Sequence, residues 1–268
     1  MATLRVSSGV DEAGKCLDRP RVFRPLAYPG QIVATILFFL IGIVVSPACW
    51  VLHRIAGPRI PARLGQNLLK KLFRFFTWWM RITGMLRIKV CGLEALSGLR
   101  GTVIVSNHPA LLDAVFLLAH LPPTACVMRA NLLRNPVLCG SALLADYVTN
   151  DSGPALVRQG IKKILAGGNL LVFPEGSRTI DPPLNPFKNG FALVAARTSA
   201  AVQTIVIEYR GSHLTKGISL FLPATLPLCF EIRAGELFRL GPEETADDFS
   251  HRIESWFRGE LAAPPAHT

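Results

Sequence analysis

From residue 86 onward the chain keeps one texture, in which short apolar runs alternate with amphipathic segments. The runs are "RIKVCGL", "GTVIVSN", "ACVMRA", "NLLVFPE", "VQTIVIEY" and "CFEIRAGEL", and the segments include 109–120, 153–166 and 188–200. Short runs of this kind predict strands, and the longer periodic segments predict helices. Strands alternating with helices make the expected fold α/β, a mixed, largely parallel sheet flanked by helices. No internal repeat interrupts the pattern.

At 268 residues the chain has room for one such domain, over residues 86–260, and an accessory N-terminal part. Residues 1–30 are expected to form a polar lead, and 261–268, around "AAPPAHT", a disordered tail. Residues 31–85 have a different character, that of a membrane-associated helical segment. "QIVATILFFLIGIVVSPACWVL", residues 31–52, contains no charge and is about long enough to cross a bilayer, but Ser46 and Pro47 interrupt it, which leaves a re-entrant helix as a competitor to a full span. No cleavage site of the signal-peptide kind accompanies it. Residues 54–90 then hold nine Lys and Arg and no acid. Within them Leu68, Leu72, Phe75, Phe76, Trp79 and Ile82 fall near one side of a helix, with Lys71, Arg74 and Arg81 towards the other. That pattern suits a lipid interface, and packing of the helix on the domain would produce it equally.

Charge separates two classes of partner. Half of the chain is hydrophobic and 18% is charged, against about 25% in soluble proteins. Residues 1–90 carry fourteen Lys and Arg against three Asp and Glu, whereas residues 91–268 carry fifteen of each sign, so the net +11 lies wholly in the first third. Cations beside the most apolar part of the chain favour an anionic lipid surface, at roughly 1 kcal/mol per well-placed residue. A nucleic-acid partner would call for a basic face on the folded domain, and none is expected. The six cysteines are scattered, with no CxxC pair and no cluster with histidines, which argues against a zinc site or a disulfide framework and for a reducing compartment.

Two polar corners carry the chemistry. "GTVIV" leads into "NHPALLD", residues 107–113, where His108 and Asp113 stand five positions apart. Pro109 is tolerated in the first turn of a helix, which puts His108 at the helix mouth and Asp113 one and a half turns in. The second corner is "LLVFPEGSRT", residues 170–179: Pro174 stiffens the entry, Gly176 permits close backbone approach, and Glu175 and Arg178 sit at the exit. The planar guanidinium of an arginine there can grip a phosphate. Each corner alone also has a structural reading, as a capping histidine or a Glu–Arg pair at a strand end.

Together, in this order and some sixty residues apart, the two blocks resemble the glycerolipid acyltransferase family, over about residues 85–235. "VMRANLLRNPVLCG" resembles a further stretch of that family, and Lys188 in "PFKNG" stands where the family often has a basic residue. The resemblance implies that His108 is the general base and that Asp113 holds its imidazole. It places Glu175, Gly176, Ser177 and Arg178 in the acceptor-binding block, with Arg178 on the phosphate and Lys188 or Arg129 as a second cation. It further implies an O-acyltransferase that moves a fatty acyl group from acyl-CoA or acyl carrier protein to a lysophospholipid hydroxyl, foremost that of 1-acylglycerol 3-phosphate. No metal and no cofactor beyond the thioester co-substrate are implied. The place of action would be a bilayer, with the active site on the cytoplasmic face, in a bacterium that of the inner membrane. The alternatives are a different lyso-lipid acceptor or specialised acyl product, and a non-catalytic membrane-anchored scaffold. The sequence departs from the family at "VTND", where Asn150 and Asp151 replace an arginine that helps bind the phosphate, and at Gln203 and Thr204, in a strand that often contains proline.

Overall fold

The computed structural model describes residues 24–56, 60–150, 152–211, 214–217 and 226–262. The strands are β1 (Leu86–Cys91), β2 (Val103–Ser106), β3 (Thr124–Met128), β4 (Val148–Thr149), β5 (Asn169–Val172), β6 (Val202–Arg210) and β7 (Leu228–Phe238). They form one sheet of spatial order β1-β7-β6-β2-β5-β3-β4. Every neighbouring pair is parallel except β6 with β7, so the sheet is mixed and largely parallel. The helices are α1 (Arg24–Ala56), α2 (Ala62–Ile82), α3 (Asp113–His120), α4 (Cys139–Leu144), α5 (Gly153–Leu165), α6 (Gly190–Thr198) and α7 (Ala246–Ala262).

Every residue of β2 and of β5 is buried, as expected of strands covered on both faces. Their side chains alternate between two cores. Ile104 and Leu171 join Phe116 and Leu117 of α3 and Phe76 and Met80 of α2. Val103, Val105, Leu170 and Val172 join Phe191 of α6 and Phe249, Ile253 and Phe257 of α7. Each such side chain contributes about 1.5–3 kcal/mol when fully buried, so the register of the two central strands is tightly specified.

This arrangement decides where chemistry can sit. β2 and β5 are neighbours, yet the helix after β2 covers one face and the helix after β5 covers the other. Connections that leave adjacent strands towards opposite faces open a crevice beyond their carboxyl ends. The loops emerging there are the two polar corners of the sequence.

The N-terminal part differs from expectation in three respects. α1 begins at Arg24, so the end of the expected polar lead is helical, while residues 1–23 and the tail from 263 lie outside the described residues. α1 also runs unbroken through Ser46 and Pro47. The Ser46 hydroxyl accepts the Gly140 N–H at 2.9 Å, and a Cβ on Gly140 would fall 1.8 Å from the Ser46 carbonyl oxygen, so α1 lies directly on α4. Finally, α2 buries Leu69, Phe76 and Met80, and the boundary expected at residue 85 therefore cuts through a shared core. Among the described residues no helix is long and apolar enough to cross a membrane, the side chains at positions 24–31, 34, 35, 38 and 39 of α1 lying outside that description.

Candidate active site

Asn107 ends β2 by behaving as one more sheet residue. Its Nδ2 donates to the Ile207 carbonyl at 2.7 Å and its Oδ1 accepts the Ile207 N–H at 2.8 Å. The backbone therefore leaves the sheet at a fixed point, and the next residue is His108. The His108 N–H donates to Glu175 Oε1 at 2.8 Å, and its carbonyl accepts the Thr179 N–H at 2.8 Å. Its ring stacks on Phe173 with centroids 4.3 Å apart, and Nδ1 meets Asp113 Oδ2 at 2.8 Å. With the peptide held on both sides and the ring on one face and one edge, Nε2 is the nitrogen left for a substrate.

Asp113 is not one and a half turns into a helix, because α3 begins at Asp113 itself. Pro109 to Leu112 form the preceding turn, and the Ala110 N–H donates back to Asp113 Oδ2 at 2.8 Å. In the first helical turn the carboxylate also faces the positive end of the helix dipole. Its side chain is fully buried, and Oδ1 has no hydrogen-bond partner among the described residues. Burial pushes the Asp113 carboxyl up, while the hydrogen bond and charge of His108 draw it down. The contact at Nδ1 fixes the orientation of the imidazole, as a general base requires.

Glu175, expected against the acceptor, has its oxygens turned inward. Oε1 accepts from the His108 N–H and from the Thr179 hydroxyl at 3.0 Å; Oε2 accepts from the same hydroxyl at 2.8 Å and from the Asn185 N–H at 2.9 Å. It ties the two corners together. Thr179 and Asn185 escaped the sequence reading, because nothing local marks a backbone amide ten residues away as a partner. Gly176 has φ +67°, and a Cβ there would meet Lys188 Nζ at 3.1 Å. The Ser177 hydroxyl donates to the Arg178 carbonyl at 3.1 Å, within its own loop.

The cations gather beside this turn. Arg178 Nη1 donates to the carbonyls of Leu214 and Thr215, both at 2.9 Å, while Arg129 Nη2 donates to the Gly176 carbonyl at 3.1 Å. Burial lowers the Arg178 guanidinium, the Asp113 charge raises it and Arg129 lowers it, so these charges share one field. The Lys188 N–H donates to the Pro174 carbonyl at 2.9 Å and its ammonium folds over Gly176. All eight residues singled out in the sequence thus converge. Among the described residues Asn150 is held through its backbone, whose N–H donates to the Met128 carbonyl at 2.8 Å, and Asp151 lies outside them. Gln203 and Thr204 serve a different purpose: their side chains donate to Gly235 at 2.9 Å and Glu236 at 2.9 Å across an irregularity in the β6–β7 register.

An apolar cavity of about 440 Å³ opens beside the dyad. Phe73, Phe76, Leu118 and Val137 wall it, and Leu111 and Leu112, from the turn between His108 and Asp113, close its inner end. Burial pushes the Cys126 thiol up to about 12 and the Tyr147 phenol well above its ordinary value, so both lining groups are neutral.

The chain is similar to known proteins. Residues 87–208 match the acyltransferase family model. A 1-acyl-sn-glycerol-3-phosphate acyltransferase of Pseudomonas aeruginosa is 28% identical over 243 residues, covering 87% of this chain and 91% of the relative. One from Limnanthes douglasii is 29% identical over 148 residues, covering 53% and 51%. A lyso-ornithine lipid O-acyltransferase of P. aeruginosa is 28% identical over 186 residues, covering 65% and 66%. The crystal structure of the 1-acyl-sn-glycerophosphate acyltransferase of Thermotoga maritima superposes with a TM-score of 0.69 at 20% identity, over 89% of this chain and 99% of that one, a likeness of fold. The chain is an O-acyltransferase. Residues 87–208 carry the acyltransferase domain of that family model, and the chain resembles 1-acyl-sn-glycerol-3-phosphate acyltransferases over most of its length.

Proposed function

We propose that the protein transfers a fatty acyl chain from a thioester, acyl-CoA or acyl carrier protein, to the free hydroxyl of 1-acylglycerol 3-phosphate. His108 Nε2 takes the hydroxyl proton as the oxygen attacks the thioester carbonyl, and Asp113 stabilises the imidazolium that forms. The tetrahedral intermediate then collapses, the C–S bond breaks, and the imidazolium returns its proton to the departing sulfur. Arg178 and Arg129 hold the acceptor phosphate, and Glu175 holds the loops that place them. One observation carries this reading: the imidazole held by Asp113 belongs to the same loop whose Leu111 and Leu112 line an apolar cavity.

Membrane association follows from the two N-terminal helices. Val33, Ile36, Leu40, Ile43 and Val44 of α1 and Leu64, Leu68, Phe75, Trp78 and Ile82 of α2 are exposed large hydrophobics. Lys71, Arg74 and Arg81 are exposed beside them on α2. Apolar anchors with cations suit the surface of an anionic bilayer, on the cytoplasmic side where thioester donors are made.

A second acceptor class, a phosphate-free lyso-lipid of the lyso-ornithine kind, is favoured by Asn150, an amide in the place of the family's phosphate-binding arginine. The experiment incubates purified protein and each acyl donor with a panel of lyso-lipids and identifies products by mass spectrometry. Phosphatidic acid as the main product supports the leading reading. Turnover confined to phosphate-free acceptors overturns it in favour of the second.

A further inference from the structure

A second cavity, of about 890 Å³, is lined by Val127 where the apolar one is lined by Cys126 and Met128, so the two lie on opposite faces of β3. Phe173, on which His108 stacks, and Gly176 line its inner end. Arg158 of α5, Arg197 of α6 and Lys188 line it too, Lys188 beside Gly176, and none of these side chains has an ion-pair or hydrogen-bond partner among the described residues. The single carboxylate among its lining residues, Asp247, is engaged by the Asn189 amide. Arginines on α7, by contrast, are paired: Arg252 with Glu244 and Arg258 with Glu254. The amino ends of α5, at Gly153 and Pro154, and of α6, at Gly190, also border the space. Unpaired cations and helix amino ends around one cavity form an anion site, and apolar side chains such as Ile161 and Phe187 cover the wall between.

Acyl transfer brings three parts to His108: the acyl chain, the acceptor and the carrier of the thioester. The apolar cavity suits the first, and Arg178 with Arg129 suit the phosphate of the second. We propose that the second cavity binds the nucleotide end of acyl-CoA, with its phosphates against Arg158, Arg197 and Lys188. The pantetheine arm then passes the turn at Gly176, beside the Lys188 side chain that lies over it, and brings the thioester carbon to His108. Free CoA fits better than a carrier protein, because three cations surround a space large enough for a nucleotide, whereas a carrier protein's arm brings a single phosphodiester. The inference rests on the thioester-donor reading given above.

The test compares the wild type with an Arg158→Ala/Arg197→Ala double variant, using the full-length protein, palmitoyl-CoA and lysophosphatidic acid. The expected result is a donor KM raised by about tenfold or more, with acceptor KM and kcat unchanged. Arg158→Lys/Arg197→Lys should recover most of the loss. Adenosine 3′,5′-bisphosphate should compete with palmitoyl-CoA on the wild type and lose that effect on the double variant. An unchanged donor KM, or a rise in acceptor KM instead, overturns the inference. Calorimetry with the bisphosphate reads the site without turnover. No binding by a wild type that transfers acyl chains sinks this inference alone; binding without any acyl transfer sinks the proposed reaction alone.

Discussion

The loops that follow β2 and β5 each contribute one buried carboxylate to the same crevice, and the two are used differently. Asp113 gives one oxygen to the His108 ring and the Ala110 amide, and its other oxygen has no partner among the described residues. Glu175 divides its oxygens among two backbone amides and a hydroxyl, none of which titrates near neutral pH. A carboxylate facing a titratable ring sets the ring's proton affinity, whereas one satisfied by fixed neutral donors sets a shape. The first loop should therefore fail in rate when damaged, and the second in stability.

The largest effect is expected at the ring itself. His108→Ala should lower acyl transfer by roughly a hundredfold to ten-thousandfold while the melting temperature and vesicle binding hold, because the ring is partly exposed and its loss opens no core. Asp113→Asn should also slow the reaction by removing the charge that supports the imidazolium. A folded His108→Ala protein that kept more than about a tenth of wild-type turnover would remove the general-base role.

Glu175→Gln should do the opposite. Either orientation of the amide points an N–H at a backbone N–H, that of His108 or that of Asn185. Loss of a charge-assisted bond together with an unmet buried donor costs about 3 kcal/mol, read as a fall in the urea midpoint. Turnover of the folded fraction should survive far better than in His108→Ala. A variant of normal stability that no longer saturates with acceptor would restore Glu175 to the substrate-binding role that the sequence motif suggests.

The contrast between the loops could not be read from the sequence, although their positions could. β2 and β5 announce themselves as unbroken apolar runs because both of their faces are buried, and turns after such runs are where crevices open. β4, with two residues, and α4, with six, are too short to leave a period. Pro109 is equally at home in a helix start or a turn, so the onset of α3 at Asp113 needed the structure. The function of Glu175 depends on amides 67 and 10 residues away, which no local spacing encodes. α2 is legible as amphipathic, but its buried stripe (Leu69, Phe76, Met80) and its exposed one (Leu64, Leu68, Phe75, Trp78) blur into one apolar face on a helical projection. Gln203 and Thr204, a departure from the family's pattern, bond across the β6–β7 irregularity, a local need the sequence does not display.

Arg178→Ala tests whether the second loop also touches substrate. Nη1 is spent on two carbonyls, but Nε and Nη2 have no partner among the described residues. Removing a charge-assisted bond to a phosphate costs about 1.5–3 kcal/mol, or roughly ten- to a hundredfold in the KM for lysophosphatidic acid. On a phosphate-free lyso-lipid the same substitution should change KM little. Equal penalties on both acceptors, with the wild type faster on the phosphate-free one, would sink the phosphate assignment and leave the acyltransferase intact.

The smallest effect is expected from Arg129→Ala. Arg129 is exposed, and its one bond, to the Gly176 carbonyl, competes with water. An exposed charge contributes about 0.2–1 kcal/mol, so the KM for lysophosphatidic acid should rise only a few fold. Its signature is salt dependence. The Arg129 charge opposes that of Arg178, and a bound phosphate relieves the opposition. Screening at high ionic strength weakens the exposed contribution first. Raising the salt should therefore cost the wild type more affinity for lysophosphatidic acid than it costs Arg129→Ala, and the two KM values should converge. Parallel curves that never approach each other would place Arg129 outside the phosphate's field and leave Arg178 to hold it without that help.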